Sequence, residues 1–324
     1  MDLKHLKIIW STVFDGLGVY DRRLRRAAGE RPWFIPYYHR VLEEDEPDPL
    51  GIGLSRHCFR EQVAFFRRHF HVCTVTEALG IAERGEPRDR PLLSITFDDG
   101  YLDNVQLALP ILEQEGCTAT FFLCTGPLLD DRPFWWDLVT AMAAKPQSQA
   151  WLALAQYFET GTRTGRAALQ HVLDRLWQLE YRQINTLLRL HDPDPIDDDC
   201  RAACPRRMRP DQARLLVERG MEVAAHTHHH QNLTKESDSL VRDEIVRSRR
   251  FLESWTGGPV DGFASPHGYL DERTKRIALE EGFRYIASTD HGTNSVLDPF
   301  HLTRFGLGST TLAHVKRTMS RLVA

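Results

Sequence analysis

The stretch Leu92-Leu93-Ser94-Ile95-Thr96-Phe97-Asp98-Asp99-Gly100 decides the fold. Its apolar run, Leu92 to Phe97, reads as a strand that delivers two adjacent carboxylates into a glycine turn. In a regular strand Asp98 and Asp99 would point to opposite faces, but at a strand end that breaks on Gly100 both can lean into one mouth. Like charges held that close repel, so the pair makes chemical sense when a cation binds one and leaves the other as a base. An isolated Asp-Asp-Gly is more often a solvated turn. The rest of the chain shifts that balance.

Downstream, the strand-like run Met221-Glu222-Val223-Ala224-Ala225 empties into His226-Thr227-His228-His229-His230. His226 and His230 stand at i, i+4, a spacing that on one helical turn puts both imidazoles on the same face, close enough to share a metal. With one carboxylate from Asp98 or Asp99 they complete a two-His, one-carboxylate set that leaves positions open for water or substrate. The chain has 15 His, so an accidental cluster is the competing reading. Both motifs, however, directly follow an expected strand, which is where an α/β barrel places its chemistry.

Around these two points strands alternate with helices, the pattern of a mostly parallel sheet. A strand is expected over 33–38. Ser55 caps a helix with Phe59, Val63, Phe66 and Phe70 on its apolar side, and a strand follows over 72–75. A helix around 107–115 stops at Gly116, and the next strand spans 118–124. From 134 to 208 the alternation fails: the pattern is helical, with Trp151, Leu154, Phe158, Leu169, Val172, Leu173 and Leu176, and reads as an inserted α-helical subdomain. It ends in the acidic, Pro-punctuated run Asp192 to Asp199, a linker that lacks the Gly and distal Glu of a calcium loop. Alternation resumes with a helix over 210–219, the strand into His226, a charged amphipathic helix over 236–255, and strands near Val260 and Tyr285. The resulting division is an amphipathic helical segment at 1–30, a first part of a barrel at 31–133, the helical insertion at 134–209, and a second part of the barrel at 210–324.

With 324 residues, 42% hydrophobic and 27% charged, the chain can bury a full core and suits one barrel with an insertion. A net charge of −4 and a pI near 6.4 leave no electrostatic footprint for nucleic acid. The six Cys form no CxxC pair and read as reduced thiols. The apolar stretch from Ile8 to Phe14 is short, broken by Ser11-Thr12, and lacks a small-residue cleavage site, so a cytoplasmic location is expected. Leu3, Leu6, Ile9, Trp10, Val13, Phe14 and Leu17 nevertheless follow a helical stripe beside Lys4 and Lys7. Such a helix either packs on the barrel or lies peripherally on the inner face of the membrane.

Thr96-Phe97-Asp98-Asp99-Gly100, His226-Thr227-His228-His229-His230 and Phe263-Ala264-Ser265-Pro266-His267-Gly268 resemble, in order and context, the three leading motifs of polysaccharide deacetylases of the NodB-homology type, a carbohydrate esterase family 4-like group. Tyr38-His39-Arg40-Val41 and Leu302-Thr303-Arg304 look like a subgroup of that family, and the resemblance runs from about Trp33 to Leu307. It implies a distorted (β/α) TIM-like barrel and a divalent-metal hydrolase that removes N-acetyl groups from a sugar of a polysaccharide, glycan precursor or lipid-linked saccharide. The implied metal is Zn2+, with Co2+, Ni2+, Mn2+ or Fe2+ as alternatives. Carried over residue by residue, Asp98 is the base, and Asp99, His226 and His230 hold the metal.

The chemistry those parts suit is amide hydrolysis, in which a divalent cation acidifies water and polarises the acetamide carbonyl while Asp98 takes a proton. In the family the oxyanion donor is the backbone amide of the residue following the Pro of the third motif, which is His267 here, next to Pro266. The chain departs from the pattern in two places. The Arg that usually orients the base is replaced by Ala264, and Arg304 can supply that cation from another strand. No late Leu-x-x-x-His-like segment provides the acid for the departing amine, which leaves His267, His291, His301 and His39, the last at the mouth. Trp136, at the entrance of the insertion, offers an aromatic face for a sugar or lipid, or anchors the insertion's core. Two rivals are a glycan-binding protein with a decayed site, favoured by Ala264 and His267, and a non-haem iron oxygenase, which shares the ligand set but not this ligand order.

Overall fold

The computed structural model describes residues 22, 32–190, 198–307 and 311–323. Twelve short strands are placed there: β1 Trp33–Phe34, β2 Pro36–Tyr38, β3 Arg40–Leu42, β4 Gly53–Ser55, β5 His71–Val72, β6 Leu92–Leu93, β7 Ile95–Phe97, β8 Ala119–Leu123, β9 Glu222–Ala225, β10 Gly262–Ala264, β11 Tyr285–Ala287 and β12 Phe305–Gly306. Seven of them form one sheet in the order β11-β10-β9-β8-β7-β2-β12, and its pairings are all parallel. Because neighbours run the same way, the C-terminal ends of these strands open on one side, so Asp98, His226 and Ser265 emerge together after β7, β9 and β10. This curled half-barrel with helices around it is the expected distorted (β/α) barrel.

Side-chain alternation builds its two layers. Ile95 and Phe97 of β7, and Ala119, Phe121 and Leu123 of β8, face the outer helices in the largest core cluster, where Phe97 and Phe121 stack at 5.0 Å. Phe122, Ala224, Ala264, Tyr285 and Ala287 point the other way and fill the barrel interior. The helix Arg56–His69 lays Phe59, Val63 and Phe66 on the outer layer, and Ser55 Oγ accepts from Cys58 N at its start, as expected.

Three expected strands differ in extent. The runs over 33–38 and 92–97 each divide at one residue, Ile35 and Ser94, because the chain there exchanges partners: β1 and β6 pair with each other, and β6 also with β5, whereas β2 and β7 join the large sheet. Ser94 marks the fork, its hydroxyl accepting from Trp33 Nε1 and donating to Thr74 O. The strand expected over 72–75 stops at Val72, because Thr74 caps a new helix, Val75–Glu83, through a reciprocal bond with Glu77.

Between β8 and β9 the chain is helical, with Trp135–Ala143, Gln149–Tyr157, Gly165–Leu176, Tyr181–Leu190 and Asp198–Ala203. The first four share a core of Trp135, Trp136, Trp151, Val172 and Leu176 that continues into Tyr101 and Cys124 of the barrel. All six cysteines are free thiols. The N-terminal segment expected at 1–30, apart from residue 22, and most of the acidic run after Leu190 lie outside the described residues. No helix among the described residues is long and apolar enough to cross a membrane.

Candidate metal centre and active site

The paired acids separate because the turn after β7 is left-handed at two consecutive residues, Asp99 with φ 75° and Gly100 with φ 96°. Gly tolerates such a φ and Asp accepts it at some cost. A Cβ on Gly100 would also come within 3.2 Å of Leu123 and Leu128. The two carboxylates consequently face different partners. Asp98 meets Arg304, whose Nη1 and Nη2 lie 2.7 and 2.9 Å from its two oxygens. Arg304 is fully buried, further anchored by Nε to Ser288 O at 2.8 Å, and sandwiched between the rings of Tyr37 and Phe122. Burial pushes the Asp98 carboxyl up, but the charge and paired hydrogen bonds of Arg304 outweigh it and hold the group ionised, below the ordinary range.

Asp99 faces the histidines. Its Oδ1 stands 3.1 Å from His230 Nε2 and 3.6 Å from His226 Nε2. The two rings do not share a helical turn, contrary to the expectation from their spacing: 226–230 is a loop with left-handed residues at Thr227 (φ 65°) and His230 (φ 56°), and it brings the ring centroids to 4.8 Å. His226 Nδ1 lies 2.8 Å from Ala264 O, so it donates there and turns a bare Nε2 toward Asp99. Burial drives the His226 pKa down to about 4, which keeps the ring neutral as a ligand must be. The loop itself is held by Glu244, buried on the helix Asp238–Thr256. Its carboxylate accepts the N–H groups of His228 and His229 at 3.0 and 2.7 Å, the ring of His229 at 2.7 Å and the amide of Gln231 at 3.1 Å.

The residues fit a divalent cation. One ligand atom from each of Asp99, His226 and His230 lies within 4.8 Å of the others, all three side chains are buried, and Asp99 Oδ1 and His230 Nδ1 have no hydrogen-bond partner among the described residues. Ligand atoms about 2.1 Å from a common ion at tetrahedral or octahedral angles stand roughly 3.0–3.4 Å apart, close to the spacing around Asp99. Oxygen and imidazole donors of this kind suit zinc and its first-row neighbours.

A cavity of about 240 Å³ opens beside the centre, and Asp98, Asp99, His226 and His230 line it. His39, Trp136 and His267 line it too, whereas Pro266 is buried behind and does not. His267 sits in a strained turn with φ 55°; the residue as a whole is exposed, but its ring is crowded by Trp177 and His230, and this local desolvation, reinforced by His230, lowers the ring pKa to about 3. His291 and His301 are not part of the lining, and His301 instead bonds Asp290 at 2.6 Å. Trp136 forms part of the wall, and it is anchored by Nε1 to Tyr101 OH at 2.9 Å and stacked on Phe134. Trp177, Tyr37, Thr289 and Glu244 were not singled out in the sequence. Only Glu244 left a signal there, a carboxylate on the same helical stripe as Val241, Ile245 and Leu252.

The architecture and this geometry define a class, a distorted (β/α) barrel with an Asp-His-His centre at the C-terminal edge of its sheet and an arginine-held carboxylate beside it. The chain matches the family described as polysaccharide deacetylase over residues 85–150 and 158–286, and it belongs to that family. Among curated proteins it is similar to a peptidoglycan deacetylase of Helicobacter pylori, 27% identical over 81 residues, or 25% of this chain and 28% of that protein. It is also similar to a peptidoglycan-N-acetylglucosamine deacetylase of Bacillus cereus, 26% identical over 76 residues, or 24% of this chain and 35% of that protein. The chain thus spans only about a third or less of these relatives. Among solved structures, the Streptococcus pyogenes deacetylase PplD in complex with acetate superposes with a TM-score of 0.60 at 14% identity, covering 90% of this chain and 98% of that one. IcaB from Ammonifex degensii gives 0.58 at 17% identity, covering 90% and 97%. At these identities the likeness is one of fold.

Proposed function

We propose that the protein is a divalent-metal-dependent hydrolase that removes an N-acetyl group from a sugar. The observation that carries this reading is the buried Asp99-His226-His230 cluster, with Asp98 held beside it by Arg304 on the wall of one cavity. A cation held by Asp99, His226 and His230 would supply Lewis acidity toward an amide carbonyl and lower the pKa of water. Asp98 is kept ionised and oriented by Arg304, and with two oxygens offering about four lone-pair sites it retains an acceptor position to take the proton of an attacking water. This supports Arg304 in the place that Ala264 vacates. His267 presents its backbone N–H at the strained turn, where it has no acceptor among the described residues, and this fits the oxyanion donor.

For the proton that the departing amine requires, His39 is favoured over His267. Both line the cavity, but the ring of His267, crowded by Trp177 and His230, has its pKa lowered and stays neutral, whereas the half-buried ring of His39 has no hydrogen-bond partner among the described residues. The presence and placement of all four Asp and His positions favour this reading over a decayed site.

The test is metal content and acetate release by the purified protein. It should hold about one divalent ion per chain and release acetate from N-acetylated saccharides, and His226→Ala and His230→Ala should lose the ion. Asp98→Asn should keep the ion and lose about 10²–10⁴ in turnover. Equal metal in wild type and both His variants, or full turnover by Asp98→Asn, would refute the assignment.

A further inference from the structure

We propose that the substrate is a single N-acetylated sugar bearing an apolar chain, with the sugar in the catalytic cavity and the chain in a second cavity beside it; this rests on the deacetylase reading above. The catalytic cavity, at about 240 Å³, is smaller than the roughly 300–1,000 Å³ typical of pockets for drug-sized ligands. Its outer wall is supplied by the insertion through Trp136, Leu173 and Trp177. The Trp177 ring packs against His267, so the insertion reaches the loop after β10 and narrows that path for a glycan crossing the barrel mouth. The space suits one sugar ring.

A second cavity of about 330 Å³ lies between the loop around Pro47, the helix Trp135–Ala143 and the segment at Pro205. Leu50 and Ile52 line both cavities, which therefore adjoin. The polar side chains that line the second one are already engaged within the protein. Arg40 pairs with Glu46 and Asp103, Asp48 accepts the N–H groups of Gly51, Ile52 and Gly53, Asp137 accepts from Tyr101, Thr140 donates to Trp136 O, and the Cys204 thiol is directed at Cys200 O. What remains for a ligand is the apolar surface of Pro47, Pro49, Leu50, Ile52 and Ala141. A second sugar placed there would find few free partners to repay the water it gives up, while a hydrocarbon chain needs none and gains by burial.

Acetate release by the metal-loaded full chain should be compared on N-acetylglucosamine glycosides with methyl, butyl and octyl groups, and on an N-acetylated trisaccharide. The expected result is that kcat/KM rises with chain length by up to about fourfold per buried methylene, while added sugars change it by less than about twofold. Ala144 is an exposed residue on the lining of the second cavity. Ala144→Trp should bring the octyl-to-methyl ratio close to unity, and as a ratio this reading is independent of the amount of folded protein. Equal turnover of methyl and octyl glycosides, or a larger gain from sugars than from the chain, overturns the proposal and leaves the deacetylase reading standing. If no glycoside is hydrolysed, that reading falls and the cavity is judged by quenching of tryptophan fluorescence. Tighter binding of the octyl than the methyl glycoside by wild type but not by Ala144→Trp then supports the chain site, and equal binding overturns it.

Discussion

At the scale of single residues, the pairing of Asp98 with Arg304 explains how a carboxylate stays ionised without water. Both side chains are almost wholly buried, so each is tolerable only because the other is there. Arg304→Met should therefore leave an uncompensated buried charge and cost about 3–5 kcal/mol of stability. Combining it with Asp98→Asn removes both charges, so the double variant should be more stable than Arg304→Met alone. Urea denaturation of the two single variants and the double variant closes the cycle, and simple additivity of the two costs would show that the pair is not coupled. The same residues show where reading the sequence reaches its end. Arg304 lies 206 positions from Asp98, and no local pattern sets which cation enters the barrel beside the base; the absence of Arg at Ala264 only demanded that some cation do so.

At the scale of elements, the strands that carry the chemistry were legible because short, mostly apolar runs end in acids or histidines. The loops were not, because their shape depends on tertiary partners. His226 and His230 have helical spacing, yet Glu244 accepts the intervening N–H groups and folds them into an irregular loop. The divisions at Ile35 and Ser94 likewise follow from a change of strand partner, which leaves no mark in propensity. Glu244 thereby acts as a positioning residue for both expected ligands. Glu244→Ala should weaken metal binding by about 10–100-fold, as loss of an outer support to a ligand typically does, and Glu244→Gln, which keeps one acceptor oxygen, should weaken it less. Competition with a chelating dye measures this directly. A lowered melting temperature with unchanged metal affinity would make Glu244 a packing residue only.

At the scale of the whole molecule, the insertion is joined to the barrel through a buried polar contact as well as through its aromatic core. Tyr101, which follows the paired acids and Gly100, donates its hydroxyl to both oxygens of Asp137 at 3.3 Å and accepts from Trp136 Nε1. Burial, with the nearby charge of Asp99 adding to it, raises the Asp137 pKa to about 8, so at neutral pH the acid is largely protonated in the folded chain. Unfolding exposes it to water, where its pKa returns to about 3.9 and it loses that proton. Between these two values the folded state binds more protons than the unfolded state, so Asp137 makes stability fall as pH rises, by up to about 1.4 kcal/mol per pH unit, with the effect complete above pH 8. Asp98 has the opposite sign, since its lowered pKa contributes stability that is lost only on acidification. Asp137→Asn keeps an acceptor for Tyr101 and removes the titration. Its stability relative to wild type should therefore increase steadily from pH 5 to pH 8 when both are unfolded in urea. A difference that stays constant across that range would show that Asp137 is ionised in the folded protein, and the junction between insertion and barrel would then be held by a buried charge.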